Sequence, residues 1–247
     1  NYGTIFHSLI NDSGIVNAGI IVDDKRPTTT KTRVIANNQH VVRIDKESKA
    51  QINGKVEEKI FQYISSIIDG IDGIILQDYN KGVLTPSLIK NIVSLANKKN
   101  LLITVDPKFD NFFEYKNVTV FKPNRKEAGS VLGIKIDSEA DISSAGKILL
   151  DRLKAKYILL TLGEKGIAVF ENGKPEKKMP TKAMNVADVS GAGDTVIATL
   201  TMALAAGADI YEASALANYG AGIVCGEVGI VPVQREQLFD TIMKDTK

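Results

Sequence analysis

A glycine-rich turn directly before an apolar helical run holds the residues of this sequence best suited to chemistry. The turn reads Gly191-Ala192-Gly193-Asp194, and the apolar run covers residues 196–206. Glycine lets the backbone turn tightly and approach a ligand closely. The first turn of a helix leaves N–H groups free at the positive end of the helix dipole, which binds phosphate. Asp194 is then placed to take a proton from a hydroxyl that accepts a phosphoryl group.

A purely structural role for the same turn stays open at this point. Glycine-rich turns before helices are common, and an Asp in the first turn of a helix often serves as a cap or as a partner of the helix dipole. The spacing alone therefore does not decide between the two roles of Asp194.

The composition excludes several classes of protein. A chain of 247 residues suffices for one domain with a full core. Its net charge of +2, from 31 basic and 29 acidic residues, argues against a nucleic-acid partner. The single Cys225 excludes an internal disulfide and fits a reducing compartment. Neither a membrane-length apolar run nor a signal peptide is present, so we expect a cytoplasmic protein with no membrane partner.

Helical and strand patterns alternate over most of the chain. They predict helices over 1–12, 56–68, 85 onward, 124 onward, 138–153, 196–206, 210–224 and 234–243, and strands over 73–76, 101–105, 118–121, 157–162 and 167–170. Apolar strands that alternate with helices predict an α/β fold with a mostly parallel sheet covered on both faces. Ligands of such sheets bind beyond the carboxyl ends of the strands.

Residues 15–45 differ from this pattern. They predict three short antiparallel strands over 19–22, 28–35 and 40–44, with polar turns at 23–25 and 37–39. Strand alternation places Thr30 and Thr32 on one face and Lys31 and Arg33 on the other. A small sheet with one polar and one apolar face must cover a ligand cleft or a partner subunit.

The stretch from Asp188 to Thr195 resembles the signature of the ribokinase-like (PfkB-type) carbohydrate kinases, Asp-x-[Ser/Thr]-Gly-Ala-Gly-Asp. The resemblance implies a three-layer α/β/α ribokinase-like fold with a small antiparallel β lid over residues 15–45. It also implies an ATP-dependent sugar kinase. In such an enzyme Asp194 takes the proton, and the N–H groups of the turn at Gly191, Ala192 and Gly193 receive the phosphoryl group.

The pair Asn124 and Glu127 resembles the family's Asn-x-x-Glu motif, which organises Mg²⁺ through water together with the nucleotide phosphates. Mg²⁺ keeps several waters, so one carboxylate is chemically sufficient. The same spacing equally suits a capping box without a ligand. Asp188 and Ser190 map onto a loop that holds a monovalent cation in many relatives, which makes K⁺ a further candidate cofactor; an Asx turn is the alternative.

Three more residues resemble the family's nucleotide turn, Thr-x-Gly-x-x-Gly: Thr161, Gly163 and Gly166. Any hairpin could carry these two glycines. Asn218 matches a small-residue helix that borders the adenine in relatives, or is simply a partly exposed helical residue. Carboxylates and cations suited to the hydroxyls and phosphate of a phosphosugar occur at the lid and at two strand ends; they are Lys31, Arg33, Asp78, Lys81, Asp106 and Lys108. Structural ion pairs are the alternative for this last set.

Within the family, the chain resembles kinases of D-glycero-β-D-manno-heptose 7-phosphate, which act in ADP-heptose and lipopolysaccharide core synthesis. The matching stretches are 30–34, 38–39, 42–45, 78–82, 105–108 and 122–127, with the signature through Gly207. The resemblance implies phosphorylation of the anomeric hydroxyl to the 1,7-bisphosphate. A kinase for another sugar or sugar acid, of ribokinase or fructokinase type, and a non-catalytic sugar-binding relative are the alternatives.

The resemblance covers the kinase half of such proteins. Family members begin with a strand that bears a sugar-binding Asp, followed by a Gly-Gly-Ala-x-Asn motif, and residues 1–247 contain neither. We therefore expect residues 1–247 to be the ribokinase-like domain without its N-terminal part. We also expect a homodimer formed through the apolar face of the lid, because two-fold pairing is the commonest way to bury such a patch.

Overall fold

The computed structural model describes residues 2–36, 39–183 and 186–245, so the predicted polar turn at 37–39 lies largely outside the described residues. The helices within these ranges are α1 (Tyr2–Asp12), α2 (Gly54–Ile67), α3 (Pro86–Lys98), α4 (Arg125–Leu132), α5 (Glu139–Leu153), α6 (Ala192–Ala205), α7 (Ile210–Cys225) and α8 (Arg235–Asp245). The strands are β1 (Thr30–Ala36), β2 (Gln39–Lys46), β3 (Gly73–Gln77), β4 (Leu102–Asp106), β5 (Val120–Phe121), β6 (Tyr157–Thr161), β7 (Ile167–Glu171) and β8 (Lys177–Met179).

The central sheet has the strand order β3-β4-β5-β6-β7-β8. The first four strands run parallel, and β7 and β8 are antiparallel to their neighbours. Side chains alternate between the two faces, so Leu159 packs with α6 and α7 while Ile158 and Leu160 pack with α3 and α5. The sheet thus lies between two layers of helices, which confirms the predicted three-layer α/β/α fold.

Side-chain caps fix where the helices begin. Thr85 accepts a hydrogen bond from the N–H of Leu88 and is followed by Pro86, as the sequence predicts. Ser138 and Asp209 begin α5 and α7 with reciprocal capping boxes. Within the described ranges, no helix combines the length and apolar character needed to cross a bilayer.

Two strand predictions need correction. Residues 19–22 do not form a strand; Gly19 lies against the ring of Tyr63, where an added Cβ would come within 2.5 Å of the ring. An apolar run without a neighbouring strand cannot satisfy its backbone groups as a strand. The sequence also missed β8, because Lys177-Lys178-Met179 shows no apolar alternation.

The lid is the two-stranded antiparallel sheet β1-β2. Val34 lies opposite Val42, and Ile44 pairs two residues further along, so these three side chains share one face. They are 42%, 48% and 57% exposed. Lys31 and Arg33 lie on the opposite face, so the sheet has one apolar and one charged face.

Arg26 anchors the lid to the body of the protein. Its guanidinium donates hydrogen bonds to the carbonyl oxygens of Ser48 and Ala50, just after β2, and of Lys81, after β3. Gly82 packs so closely on this segment that an added Cβ would meet the Ala50 carbonyl oxygen at 2.0 Å. The residues before β1 and after β2 therefore meet at one point on the loop that follows β3.

Candidate active site

A cavity of about 780 Å³ opens at the carboxyl ends of β3, β4, β5 and β6. Several residues predicted to act in the site line it together: Asp106, Lys108, Asn124, Thr161, Gly163, Gly166, Asn218 and the turn at 191–194. Their common position follows from the parallel sheet, because the carboxyl ends of parallel strands meet at one edge.

The N-terminus of α6 opens into this cavity. Gly191 caps the helix with a φ of 83°, a left-handed conformation that glycine adopts without strain. Ala192 donates its N–H to the Val189 carbonyl oxygen at 3.3 Å, and Thr195 donates to Gly191 at 2.9 Å. The N–H groups of Gly193 and Asp194 lie between these bonded positions, where a helix has no internal acceptor for them. The sequence predicts that these N–H groups bind an anion, and we call this part of the helix the anion-binding end of α6.

Tyr79 contacts the carboxylate of Asp194. The phenol of Tyr79 donates a hydrogen bond to Asp194 Oδ1 at 3.1 Å. Burial, followed by the negative charge of Asp194, raises the pKa of Tyr79 to about 12. The phenol therefore keeps its proton, and so remains a donor, across the neutral range. Asp194 itself is exposed at the cavity surface.

A buried ion pair lies under the anion-binding end of α6. The ammonium of Lys122 lies 3.1 Å from Asp106 Oδ2, and the two side chains are 3% and 7% exposed. Gln77 donates to the same oxygen at 3.1 Å. A Cβ added to Gly193 would lie 3.7 Å from the Lys122 ammonium and 3.8 Å from Asp106 Oδ2. Gly193 therefore lies within van der Waals range of the buried ion pair.

Sequence reasoning missed Gln77, Tyr79 and Lys122 as site residues. Each follows or ends a strand of the parallel sheet, which is the same signal that selected Asp106 and Lys108. Position relative to the strand ends could therefore have found them.

Asn124 and Glu127 form a capping box at the start of α4, as the structural alternative predicted. Glu127 Oε2 accepts the N–H of Asn124 at 2.9 Å, and Asn124 accepts the N–H of Glu127 at 2.9 Å. Glu127 Oε1 pairs with the ammonium of Lys108. Burial alone would lower the pKa of Lys108, but its hydrogen bond to Glu127 and the charge of that carboxylate outweigh burial and raise it. The buried Glu127 therefore already has a cation, the ammonium of Lys108, as the partner of Oε1.

The turn at 163–166 and helix α7 share one supporting segment. Gly166 has a φ of 86°, and an added Cβ would lie 2.0 Å from the Met179 carbonyl oxygen. The buried amide of Asn218 donates to the Pro180 carbonyl oxygen at 2.7 Å. Thr161 lies directly before the turn, at the end of β6. The turn at 163–166 and helix α7, which both line the cavity, thus contact two adjacent residues, 179 and 180.

Two residues predicted to hold the substrate have structural partners within the protein. Asp78 is buried, accepting the hydroxyl of Tyr115 and the N–H of Asn80, each at 2.7 Å. Lys81 pairs with Glu47 beside the lid anchor, outside the cavity lining. The sequence pattern missed these partners because they lie 34 to 37 residues away along the chain. Both side chains thus have structural partners, and their contact with a substrate stays a prediction.

Asp188 and Ser190 form the Asx turn that was the alternative to a cation loop. Asp188 Oδ1 accepts the N–H of Ser190 at 2.9 Å. Hydrogen bonds from Ser190 are the main cause that lowers the pKa of Asp188, and the charge of Arg33 adds to them. Lys31 and Arg33 do not line the cavity itself.

Comparison with known proteins agrees with this geometry. The chain is 42% identical over 236 residues to the bifunctional protein HldE of Helicobacter pylori strain J99, covering 96% of this chain and 51% of the relative. It is 39% identical over 240 residues to the protein of the same name from Geobacter sulfurreducens, covering 97% and 49%. The chain therefore spans about half the length of these curated relatives.

Solved structures show the same fold. Phosphofructokinase-2 from Escherichia coli, in complex with potassium, has a TM-score of 0.81 at 17% identity, covering 99% of this chain and 79% of that one. Ribokinase from Giardia lamblia has a TM-score of 0.80 at 19% identity, covering 99% and 80%. The model of the pfkB family carbohydrate kinases matches residues 1–235. The chain belongs to the pfkB family of carbohydrate kinases.

Proposed function

We propose that this chain transfers the γ-phosphoryl group of ATP to the anomeric hydroxyl of D-glycero-β-D-manno-heptose 7-phosphate. The product would be the 1,7-bisphosphate used in ADP-heptose synthesis. Family membership supports the reaction class, and the likeness to the HldE proteins supports the heptose. The observation that carries the proposal is the exposed carboxylate of Asp194 beside the anion-binding end of α6, with the ammonium of Lys122 beneath it.

The anion-binding end of α6 receives the transferred group. In a loose phosphoryl-transfer transition state, positioning and neutralisation of charge do most of the work. The N–H groups of Gly193 and Asp194 point into the cavity at the positive end of the helix dipole. The ammonium of Lys122 lies below them, where burial strengthens its attraction for an anion, and the carboxylate of its partner Asp106 offsets part of its charge. These groups are fixed before the substrate arrives, so they need no reorganisation during transfer.

Asp194 accepts the proton of the attacking hydroxyl. The carboxylate lies in the first turn of α6, next to the N–H groups that hold the phosphoryl group. A hydroxyl between the two would face a proton acceptor on one side and phosphorus on the other. This arrangement supports general base catalysis.

Asn124 and Glu127 are the residues that would hold Mg²⁺ through water. Their oxygen donors suit this cation, which keeps several waters and needs few carboxylates. Glu127 is paired with the ammonium of Lys108, so a metal ion there would share this carboxylate with that cation. When bound, the ion neutralises charge on the ATP phosphates.

The Glu127→Gln variant should raise the Mg²⁺ concentration for half-maximal turnover about tenfold, since outer-sphere partners of metals have effects of this size. Its affinity for the sugar should change less. Mg²⁺ titrations of turnover and of ATP binding measure both. Glu212→Gln is the matched control, because Glu212 closes an equivalent capping box at α7, away from the cavity. Superimposable Mg²⁺ titrations of parent and Glu127→Gln would leave the pair as a helix cap.

The turn of Asp188 and Ser190 is our proposed monovalent-cation loop, with K⁺ as the ion. The hydrogen bonds that lower the pKa of Asp188 keep its carboxylate charged. The phosphofructokinase-2 structure above contains potassium, which is a property of that protein. The turn lies directly before α6, so a cation there would act on the anion-binding end through the backbone.

Lys31, Arg33 and Lys108 are our proposed contacts for the phosphate of the sugar. Lys108 reaches the cavity directly. Lys31 and Arg33 share the charged face of the lid, and Arg33 acts on Asp188 near α6. Closure of this face over the sugar would exclude water and limit ATP hydrolysis.

The apolar face of the lid is our proposed homodimer interface. Placing Asp at both Val34 and Val42, which lie opposite each other, should give a monomer with weaker sugar binding. The reason is that paired carboxylates cannot be buried in an apolar interface. Light scattering at micromolar concentration measures the mass. Asp at the exposed Met202 and Phe239 is the control and should leave the mass unchanged. A parent protein that is itself a monomer would contradict the dimer.

The test of the proposed function is turnover of ATP by the full natural protein with a panel of sugars. The panel contains heptose 7-phosphate, the same heptose without phosphate, fructose 6-phosphate and ribose. We expect heptose 7-phosphate to give the highest kcat/KM. A preference for fructose 6-phosphate or ribose would indicate another sugar kinase. No turnover with any sugar would favour a non-catalytic sugar-binding protein.

A further inference from the structure

Tyr79 occupies a position that the reaction described above does not use. It follows β3, lines the cavity and is half-exposed, with its hydroxyl 3.1 Å from Asp194 Oδ1. The bond joins residues 115 positions apart, across the gap between the loop after β3 and the first turn of α6. Tyr79 therefore reaches the proposed base from the opposite wall of the cavity.

The loop that carries Tyr79 is fixed from below. The carboxylate of Asp78 binds the Tyr115 hydroxyl with one oxygen and the Asn80 N–H with the other. The N–H of Asp78 donates to the Asp106 carbonyl oxygen at 3.0 Å, beyond the end of the β3-β4 ladder. Asp78 is 3% exposed. Asp78 itself does not line the cavity. Its hydrogen bonds hold the next residue, Tyr79, in place.

The bond occupies one oxygen of Asp194. The donor is the hydroxyl of Tyr79, and its acceptor is Oδ1. A carboxylate can rotate, and a rotating base presents either oxygen to the acceptor hydroxyl. A donor fixed on Oδ1 selects one orientation, which lowers the entropy cost of reaching a reactive geometry.

We propose that Tyr79 is a positioning residue for Asp194, holding Oδ1 so that Oδ2 faces the acceptor hydroxyl. The inference rests on the proposed kinase function. In the transfer step the hydroxyl oxygen bonds to the γ-phosphorus, and the bond from that phosphorus to the bridging oxygen of ATP breaks. ADP leaves with the electrons of that bond, and the hydroxyl proton moves to Oδ2. The proton of Tyr79 stays on the phenol throughout.

Replacing Tyr79 with Phe tests the proposal, because Phe keeps the ring and removes the hydrogen bond. We expect kcat with the sugar to fall about tenfold to a hundredfold, as for the loss of one hydrogen bond to a charged group. The KM for ATP should stay unchanged. Tyr211→Phe is the matched control: its hydroxyl donates to Glu171 Oε2 at 3.3 Å, away from the cavity, and its loss should leave kcat unchanged.

A second measurement does not depend on turnover. The pKa of Tyr79 is raised by burial first and then by Asp194, with a smaller contribution from Asp106. Asp194→Asn should therefore lower the pKa of Tyr79 below about 12. Carbon-13 NMR of protein labelled at the tyrosine ζ-carbon follows the titration, and Tyr79→Phe identifies the signal. Asp106→Asn should produce a smaller shift.

The outcomes separate the inference from the function on which it rests. An unchanged Tyr79 titration in Asp194→Asn overturns the contact, and an unchanged kcat in Tyr79→Phe overturns the positioning role. A parent protein that phosphorylates no sugar overturns the proposed function, and the role of Tyr79 falls with it. A shifted titration together with a selective loss of kcat supports the proposal.

Discussion

Replacing Asp194 with Asn should lower sugar-dependent turnover by about a hundredfold or more, because no base then accepts the proton of the acceptor hydroxyl. Folding and ATP binding should stay nearly unchanged, since Asp194 is exposed and Asn keeps its shape. Steady-state kinetics with the sugar, thermal unfolding and ATP binding measure the three quantities in the full natural protein.

The control for this variant is Asp151→Asn, which changes an exposed carboxylate paired with Lys154 on the far side of the molecule. It should retain full turnover. An Asp194→Asn enzyme that kept more than about a tenth of the parent's turnover would remove Asp194 from the role of base, because general bases contribute more than that.

The Lys122→Met variant should lose both stability and activity. Removing one partner of a buried ion pair leaves the other charge unpaired, at a cost of about 3 to 5 kcal/mol in the free energy of unfolding. The carboxylate left behind is Asp106, which is 5% exposed. Turnover should fall about a hundredfold, as for other preorganised groups that stabilise charge. Chemical denaturation and steady-state kinetics measure the two effects.

A double variant separates the effect of Lys122 on stability from its effect on turnover. Asp106→Asn combined with Lys122→Met removes both charges, so most of the lost stability should return. The turnover should stay low, because the cation under Gly193 is still absent. A double variant that recovered turnover together with stability would show that Lys122 acts as a structural partner of Asp106.

The sequence predicted the elements whose signals are local. The Thr85-Pro86 pair marked the start of α3, and apolar periodicity marked α5, α6 and α7. The glycine turn before α6 indicated phosphate binding because the dipole and the free N–H groups of a helix start depend on a few adjacent residues. The turn at 191–194, Asp106 and Asn124, which the sequence predicts as site residues, line one cavity in the structure.

The contacts that the sequence could not predict join distant residues. The sequence predicts Asp78 as a sugar ligand, but it does not show that Tyr115 donates a hydrogen bond to it from beyond β4. Lys122 and Asp106 pair because β4 and β5 lie side by side, a register that neither strand specifies alone. Periodicity reports which face of an element is buried, and it does not report which partner a polar side chain finds there.

The anchor at Arg26 has a consequence for how the lid moves. Because one guanidinium holds the residues after β2 to the loop after β3, the two ends of the lid hairpin are tied at a single point. We therefore expect any movement of the lid to be a rotation of the whole hairpin about this point. The same loop carries Tyr79 at its other end. The anchor point of the lid and the residue that contacts Asp194 therefore lie on the same short loop, residues 78–82. A change in the conformation of this loop would alter both the position of the lid and the contact to Asp194.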